Sequence, residues 1–268
     1  MNATVRSADP RHRPEAIADR LVPSERRRGR GAATNVSGRF ELQKREDFDD
    51  GWTREEPPEP LATEVILEKP KAIIARNESP DIPFDRSINP YRGCEHGCFY
   101  CYARPTHAFL GLSAGLDFEA RLFAKQGAAE LLERELASPK YRPAPIAFGA
   151  NTDPYQPIER QYRITRSLIE VLAHVRHPLT IVTKSNLILR DLDLLAPMAR
   201  DGLVKVYVSV TTLDRALARK MEPRAPTPQK RLEAIEALND AGVPGGVMAA
   251  PIIPAINDEE LETILTRA

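Results

Sequence analysis

The chain has 268 residues, 42% of them hydrophobic, with 38 basic side chains against 38 acidic ones. That length and apolar content are enough for one substantial core with a small appendage, and the balanced charge makes no overall case for nucleic-acid or membrane binding. No apolar run approaches the roughly 18 residues that span a bilayer, and the amino terminus lacks the apolar centre of a secretory leader, so the expected setting is the cytoplasm.

Charge is unevenly spread along the first part of the chain. Arg11, Arg13, Arg20, Arg26, Arg27, Arg28 and Arg30 make the opening basic, and Glu46, Asp47, Asp49, Asp50, Glu55, Glu56 and Glu59 make the next stretch acidic, ending in Pro57-Pro-Glu-Pro60. Such sequence buries too little apolar surface to offset its ordering entropy, so residues 1–60 read as a disordered, charged, Pro-rich tail. The arginines suit phosphate contacts; the plainer reading is a solvated tail whose two halves neutralise each other. Residues 61–84 read as a short lead-in, with Glu64-Val-Ile-Leu67 and Ala72-Ile-Ile-Ala75 as two short strands or a hairpin.

The chain holds three cysteines, Cys94, Cys98 and Cys101, in the run Tyr91-Arg-Gly-Cys-Glu-His-Gly-Cys-Phe-Tyr-Cys-Tyr102. A disulfide between any two would close a very short loop and constrain little chain. A structural zinc ion needs a fourth ligand, for which His96 or His107 are candidates, and zinc sites usually pair two ligand knuckles where this sequence has one. Iron–sulfur clusters favour cysteine thiolates, usually four. A cube held by three leaves one iron open, where a substrate can bind.

After the cysteines, short apolar runs alternate with helical spacing. Arg86–Pro90, Pro145–Gly149, Leu179–Thr183, Val204–Val210 and Val243–Ala250 are strand candidates. Leu131, Leu132 and Leu136, then Leu168, Ile169, Leu172 and Val175, then Leu232, Ile235 and Leu238 recur as on helices. Strand–helix alternation implies parallel strands with right-handed crossovers, an α/β barrel or open sheet whose function gathers at the carboxyl ends of the strands. Those ends carry Asn151-Thr-Asp-Pro-Tyr-Gln-Pro-Ile-Glu159, Thr183-Lys-Ser185, Ser209-Val-Thr-Thr212 and Pro251-Ile-Ile-Pro254.

The spacing Cys94-x3-Cys98-x2-Cys101, with Tyr100 just before the last cysteine, resembles the cluster motif of the radical S-adenosylmethionine (radical SAM) enzymes. The wider sequence resembles their spore photoproduct lyase-like branch, through Asn89-Pro-Tyr-Arg-Gly-Cys-Glu-His-Gly-Cys-Phe-Tyr-Cys-Tyr-Ala-Arg104, the segments at 151–159 and 183–185, Glu222-Pro-Arg-Ala-Pro226 and Pro251-Ile-Ile-Pro-Ala-Ile-Asn-Asp258. The resemblance covers about residues 63–268. It implies a partial (β/α) TIM-like barrel over residues 85–268, a [4Fe–4S] cluster on the three cysteines, and S-adenosylmethionine chelated to the unique iron. Reductive cleavage of that cofactor would give a 5′-deoxyadenosyl radical that abstracts hydrogen from substrate, with flavodoxin or ferredoxin as the reducing partner.

By the same resemblance, Tyr100 packs beside the adenine and Tyr102 contacts the cofactor. Thr152 and Asp153 hold its amino group or ribose, Lys184 neutralises its carboxylate, and Ser209 bonds ribose or carboxylate. The plainer readings are a core tyrosine, a helix-capping aspartate, a snorkelling lysine and a strand-end hydroxyl. Glu222 and Arg224 pair with one another or lie near the site. Nucleic acid is a substrate candidate by analogy. However, the lyase uses a further cysteine as hydrogen donor, and this chain has none beyond the three. The radical SAM core usually has six strands, so one strand and its helix are expected to be missing after Ala268, leaving an open edge. Two other readings stand beside this one: a zinc-stapled nucleic-acid-binding module, and a homologue that keeps the cluster without turnover.

Overall fold

The computed structural model describes residues 4–5, 21–38, 40 and 60–268. The chain divides into two compact units: Met1–Glu68 with Arg92–Ala124 and Lys220–Arg224, and Lys69–Tyr91 with Lys125–Arg219 and Ala225–Ala268.

The first unit carries a small sheet of β1 (Thr4–Val5), β2 (Glu64–Glu68), β6 (Arg121–Lys125) and β5 (Tyr91–Arg92), in that order, with β1 parallel to β2. The Arg-Leu-Phe-Ala-Lys run of β6 buries alternate residues, Leu122 and Ala124, as a one-face strand should. A 3-10 helix over Arg104–Leu110 and the short α1 (Leu116–Ala120) follow the cysteine loop. Residues 21–38, read from composition as part of a disordered tail, are held here by specific bonds. Leu21 bridges Thr34, and Arg30 and Asn35 are buried. Thr4–Val5 of the same tail pairs with β2, and apart from Phe40 and Pro60 the rest of it lies outside the described residues.

The second unit carries a six-stranded sheet in the order β10 (Gly245–Met248), β9 (Val204–Ser209), β8 (Leu179–Thr183), β7 (Ile146–Phe148), β4 (Arg86–Ile88) and β3 (Ile74–Arg76). All neighbours are parallel except β3 and β4. The five strand candidates of the α/β reading are all present, and β10 ends the sheet. The two lead-in strands form but do not make a hairpin, since β3 pairs with β4 and β2 belongs to the other sheet.

Every residue of β7 is buried, and β8 is buried at Leu179, Ile181 and Thr183. Apolar, β-branched runs of this kind suit a parallel sheet, whose faces are covered by helices. The helices α2 (Ala128–Leu136), α3 (Glu159–Tyr162), α4 (Ile164–His174), α5 (Leu192–Arg200), α6 (Arg215–Met221), α7 (Pro228–Asp240) and α8 (Leu261–Arg267) alternate with the strands. Leu168, Ile169 and Leu172 of α4 and Leu232, Ile235 and Leu238 of α7 are buried, as their spacing predicts. Helix α7 starts on a capping signal: the Thr227 hydroxyl accepts from the Lys230 amide, and Pro228 occupies the first turn. Among the described residues no helix is long and apolar enough to cross a membrane.

Candidate functional site

In the first unit, Cys94 and Cys98 are buried, each 8% exposed, and Cys101 is half-buried; none is in a disulfide. The loop turns through two glycines in the left-handed region, Gly93 at φ 75° and Gly97 at φ 71°. A Cβ on Gly93 would come within 2.9 Å of Leu122, the Phe118 carbonyl oxygen and His107, so only glycine lets the loop lie this close to its support. The Cys94 amide donates to the Phe118 carbonyl at 2.9 Å. The Cys98 carbonyl accepts from Arg104 Nε and Nη2 at 3.0 and 2.7 Å.

Residues 221–224 run along the loop: the Phe99 amide donates to the Met221 carbonyl, and the Arg224 amide to the His96 carbonyl. The Tyr100 hydroxyl donates to the buried Glu222 carboxylate, and Arg224 forms an ion pair with Glu95. Glu222 and Arg224 therefore each bind the cysteine loop, which is the reading that placed them near the site. Tyr102 is 74% exposed. His107 lies buried with Nε2 on the Arg121 carbonyl at 2.9 Å.

Three thiols on one loop would supply the donor set of an iron–sulfur cluster held by three cysteines. Among the described residues no three His, Cys, Asp or Glu side chains are placed to hold one ion.

In the second unit, the strand ends are tied by side chains. Asn89 Oδ1 accepts from the Asn151 amide at 2.9 Å, and the Thr152 hydroxyl donates to the Tyr91 carbonyl at 2.9 Å. Asp153 takes the Thr183 hydroxyl on Oδ1 and the Lys184 amide on Oδ2, both at 2.7 Å, and also accepts from the Tyr155 amide at 2.8 Å. It therefore joins the end of β8 to the loop after β7. Lys184 Nζ donates to the Ser209 hydroxyl at 2.7 Å, and Arg231, 1% exposed, donates to the Ser209 carbonyl at 3.0 Å. Thr152, Asp153, Lys184 and Ser209 are thus gathered at consecutive strand ends, as the α/β reading requires.

Beneath them lies the fully buried Glu159, which accepts from the Tyr91 hydroxyl, the Thr165 amide at 3.0 Å and Arg190 Nη2 at 2.7 Å. Burial, reinforced by the Glu159 carboxylate, pushes the Tyr91 phenol well above its usual value. Sequence reasoning assigned no role to Asn89, Tyr91, Glu119, Glu159 or Arg231. Their signal was polarity at positions that the strand and helix periods place inward, and it became readable only once the strands were in register.

The Radical SAM superfamily model matches residues 88–268. An uncharacterized protein of Mycobacterium tuberculosis is 42% identical over 196 residues, covering 71% of this chain and 58% of its own length. One of Methanocaldococcus jannaschii is 28% identical over 197 residues, covering 74% and 71%. The chain thus spans 58% of the length of the mycobacterial relatives it matches. Among solved structures, spore photoproduct lyase complexed with dinucleoside spore photoproduct aligns with a TM-score of 0.52 at 17% identity, covering 75% of this chain and 54% of the lyase. A mutant of that lyase with the same dinucleoside reaches 0.55 at 18% identity, covering 84% and 65%. At these identities the likeness is one of fold. With its cysteine loop, its sheet and a match over most of its length, the chain belongs to the radical SAM superfamily.

Proposed function

We propose that Cys94, Cys98 and Cys101 hold a [4Fe–4S] cluster whose fourth iron takes S-adenosylmethionine, and that the chain is a radical enzyme. The observation that carries this reading is one loop presenting three cysteines outside any disulfide, turned by Gly93 and Gly97, in a member of this superfamily. Once bound, that pair of cofactors supplies a 5′-deoxyadenosyl radical when an electron arrives from flavodoxin or ferredoxin.

The chain's own part is to bind, orient and exclude water. Tyr100, held by Glu222, offers its ring to the adenine, and Tyr102 adds an exposed aromatic contact. Lys184, aimed by Ser209, faces the cofactor carboxylate, and the Ser209 hydroxyl shares that contact or bonds the ribose. Asp153 holds the amino group or ribose from a fixed position, and Thr152 sets that position through Tyr91. Nucleic acid is the first substrate class to test, because the lyase whose fold this chain shares was solved with a dinucleoside lesion. All three cysteines sit in the loop, so hydrogen return by a fourth thiol has no donor in this chain. The reduced, cluster-bearing loop suits the cytoplasm.

Anaerobic reconstitution with iron and sulfide tests the reading. A brown protein with about four irons per chain, reduced sharply in Cys98→Ala, and dithionite-driven 5′-deoxyadenosine formation are expected. Colourless protein carrying one zinc would overturn the cluster. A cluster without 5′-deoxyadenosine would leave a homologue lacking turnover.

A further inference from the structure

The segment Gly29–Asn35 precedes the family-matched region, 88–268, yet in the first unit it lies directly on the cysteine loop. The Gly31 and Ala32 amides donate to the two carboxylate oxygens of Glu119, each at 2.8 Å. Glu119 has no solvent exposure and also accepts from Arg104 Nη2 at 2.5 Å, the same guanidinium that holds the Cys98 carbonyl. Arg30 donates to the Glu119 carbonyl at 2.7 Å and to the Leu61 carbonyl and Thr63 hydroxyl, both at 2.9 Å. Further along, the Leu116 amide donates to the Thr34 carbonyl at 3.1 Å, and Asn35 and Asp117 exchange two bonds.

The approach is close. A Cβ on Gly31 would fall 1.7 Å from the Gly97 carbonyl oxygen, and one on Gly97 would fall 2.8 Å from Glu119 Oε2. Glu119, Gly31 and Gly97 form one stack, and Gly97 is the residue before Cys98. Beyond it, residues 31–34 and 36–38 wall a cavity of about 620 Å3 together with Phe99, the residue after Cys98, and Arg104.

We propose that Gly29–Asn35 is a strap that shields the Cys98 side of the cysteine loop from water and oxygen, with Glu119 and Arg104 as its positioning residues. A buried carboxylate receiving two backbone amides and a guanidinium is a strong anchor, because charge-assisted bonds in a dry site are worth more than neutral ones. Gly31 is required because any side chain there would push either the strap or the loop away. The effect on a cluster rests on the function proposed above; the shielding of the thiol does not.

The test begins with unaltered apoprotein. Hydrogen exchange should show the Gly31 and Ala32 amides protected, and exchange at free-peptide rates would overturn the strap. Next, Gly31→Ala is compared with Gly246→Ala, whose added Cβ would meet no atom within 4 Å. Alkylation of Cys98 relative to Cys101 should rise about tenfold in Gly31→Ala, the equivalent of losing one charge-assisted bond, and stay unchanged in Gly246→Ala. Equal acceleration of both cysteines would mean general loosening and would overturn the assignment. Ala32→Pro, which deletes one donor to Glu119, is the second variant and should act in the same direction. In reconstituted protein the strap variants should lose their cluster absorption faster in air, with an unchanged lifetime counting against shielding. Should wild type assemble no cluster while the alkylation ratio shifts, the strap stands and the proposed function falls.

Discussion

Lys184, one residue past β8, reaches the Ser209 hydroxyl at the end of β9 across 2.7 Å. The hydroxyl fixes where a mobile four-carbon stem delivers its charge. Lys184→Met keeps the stem and removes the ammonium, and should weaken S-adenosylmethionine binding to the reconstituted protein by tenfold to about a hundredfold, the range for a bond to a charged group. Ser209→Ala should cost less, because the charge survives without its aim. Isothermal titration measures both, and wild-type affinity in Lys184→Met would remove this residue from the cofactor site.

Asp153 is expected to matter for stability as well as for binding. Its two oxygens accept from the Thr183 hydroxyl and the amides of Lys184 and Tyr155. In Asp153→Asn one oxygen becomes a donor, leaving at least one amide or hydroxyl facing another donor. The expected loss is about 2 kcal/mol, read from the urea midpoint of the apoprotein. A midpoint equal to wild type would show that the junction between the strand ends holds without the carboxylate.

Gly93 and Gly111 separate backbone strain from crowding. Both lie in the left-handed region, at φ 75° and 67°. A Cβ on Gly93 meets Leu122 at 2.7 Å and the Phe118 carbonyl oxygen at 2.8 Å, whereas one on Gly111 meets nothing within 4 Å. Gly111→Ala should cost about 1–2 kcal/mol, the intrinsic penalty of that conformation. Gly93→Ala should cost more and also lower iron uptake, because the loop itself must move. Equal thermal shifts in the two variants would refute the crowding.

Acid should destabilise the apoprotein through its histidines. Burial lowers the His107 pKa below the ordinary 6.5, partly offset by the bond to the Arg121 carbonyl, and burial likewise lowers that of His177. The fold therefore disfavours the protonated form of both. Above 6.5 neither state binds the proton and nothing is lost. As pH falls through 6.5 the unfolded chain takes up protons that the folded one refuses, so stability declines until the folded-state pKa is passed. In His107→Gln, which retains a donor for the Arg121 carbonyl, the decline in urea midpoint should be shallower. Equal slopes would dissociate His107 from it.

Much of the second unit was legible because its signals are local. Leu179–Thr183 and Val204–Ser209 are dense in β-branched residues, and Leu168, Ile169 and Leu172 repeat on one helix face, so strand and helix announce themselves within a few residues. The polar strand ends were legible for the same reason, and Lys184 and Ser209 do meet. The cysteine loop's supports were not. Glu119 is anchored by amides 87 and 88 residues away, and Tyr100 by a carboxylate 122 residues away. Arg26–Arg30 read as solvated charge, yet Arg30 is 6% exposed, because its guanidinium bonds carbonyls and a hydroxyl that composition cannot reveal. Of the two lead-in readings, separate short strands or a hairpin, the first holds: β2 and β3 are each marked by apolar residues, but a strand's partner is set by the sheets available.

Tyr91 is gripped at both ends, its phenol by Glu159 and its carbonyl by Thr152, and the cysteines begin three residues later. Small zinc modules stay unfolded until the ion arrives, because the metal must supply their folding energy. Here the stretch that leads into the three cysteines is tied at its root by side-chain bonds. On the function proposed above, cluster loading would then resemble filling a prepared socket more than coupled folding, and iron-starved protein should keep its native circular dichroism.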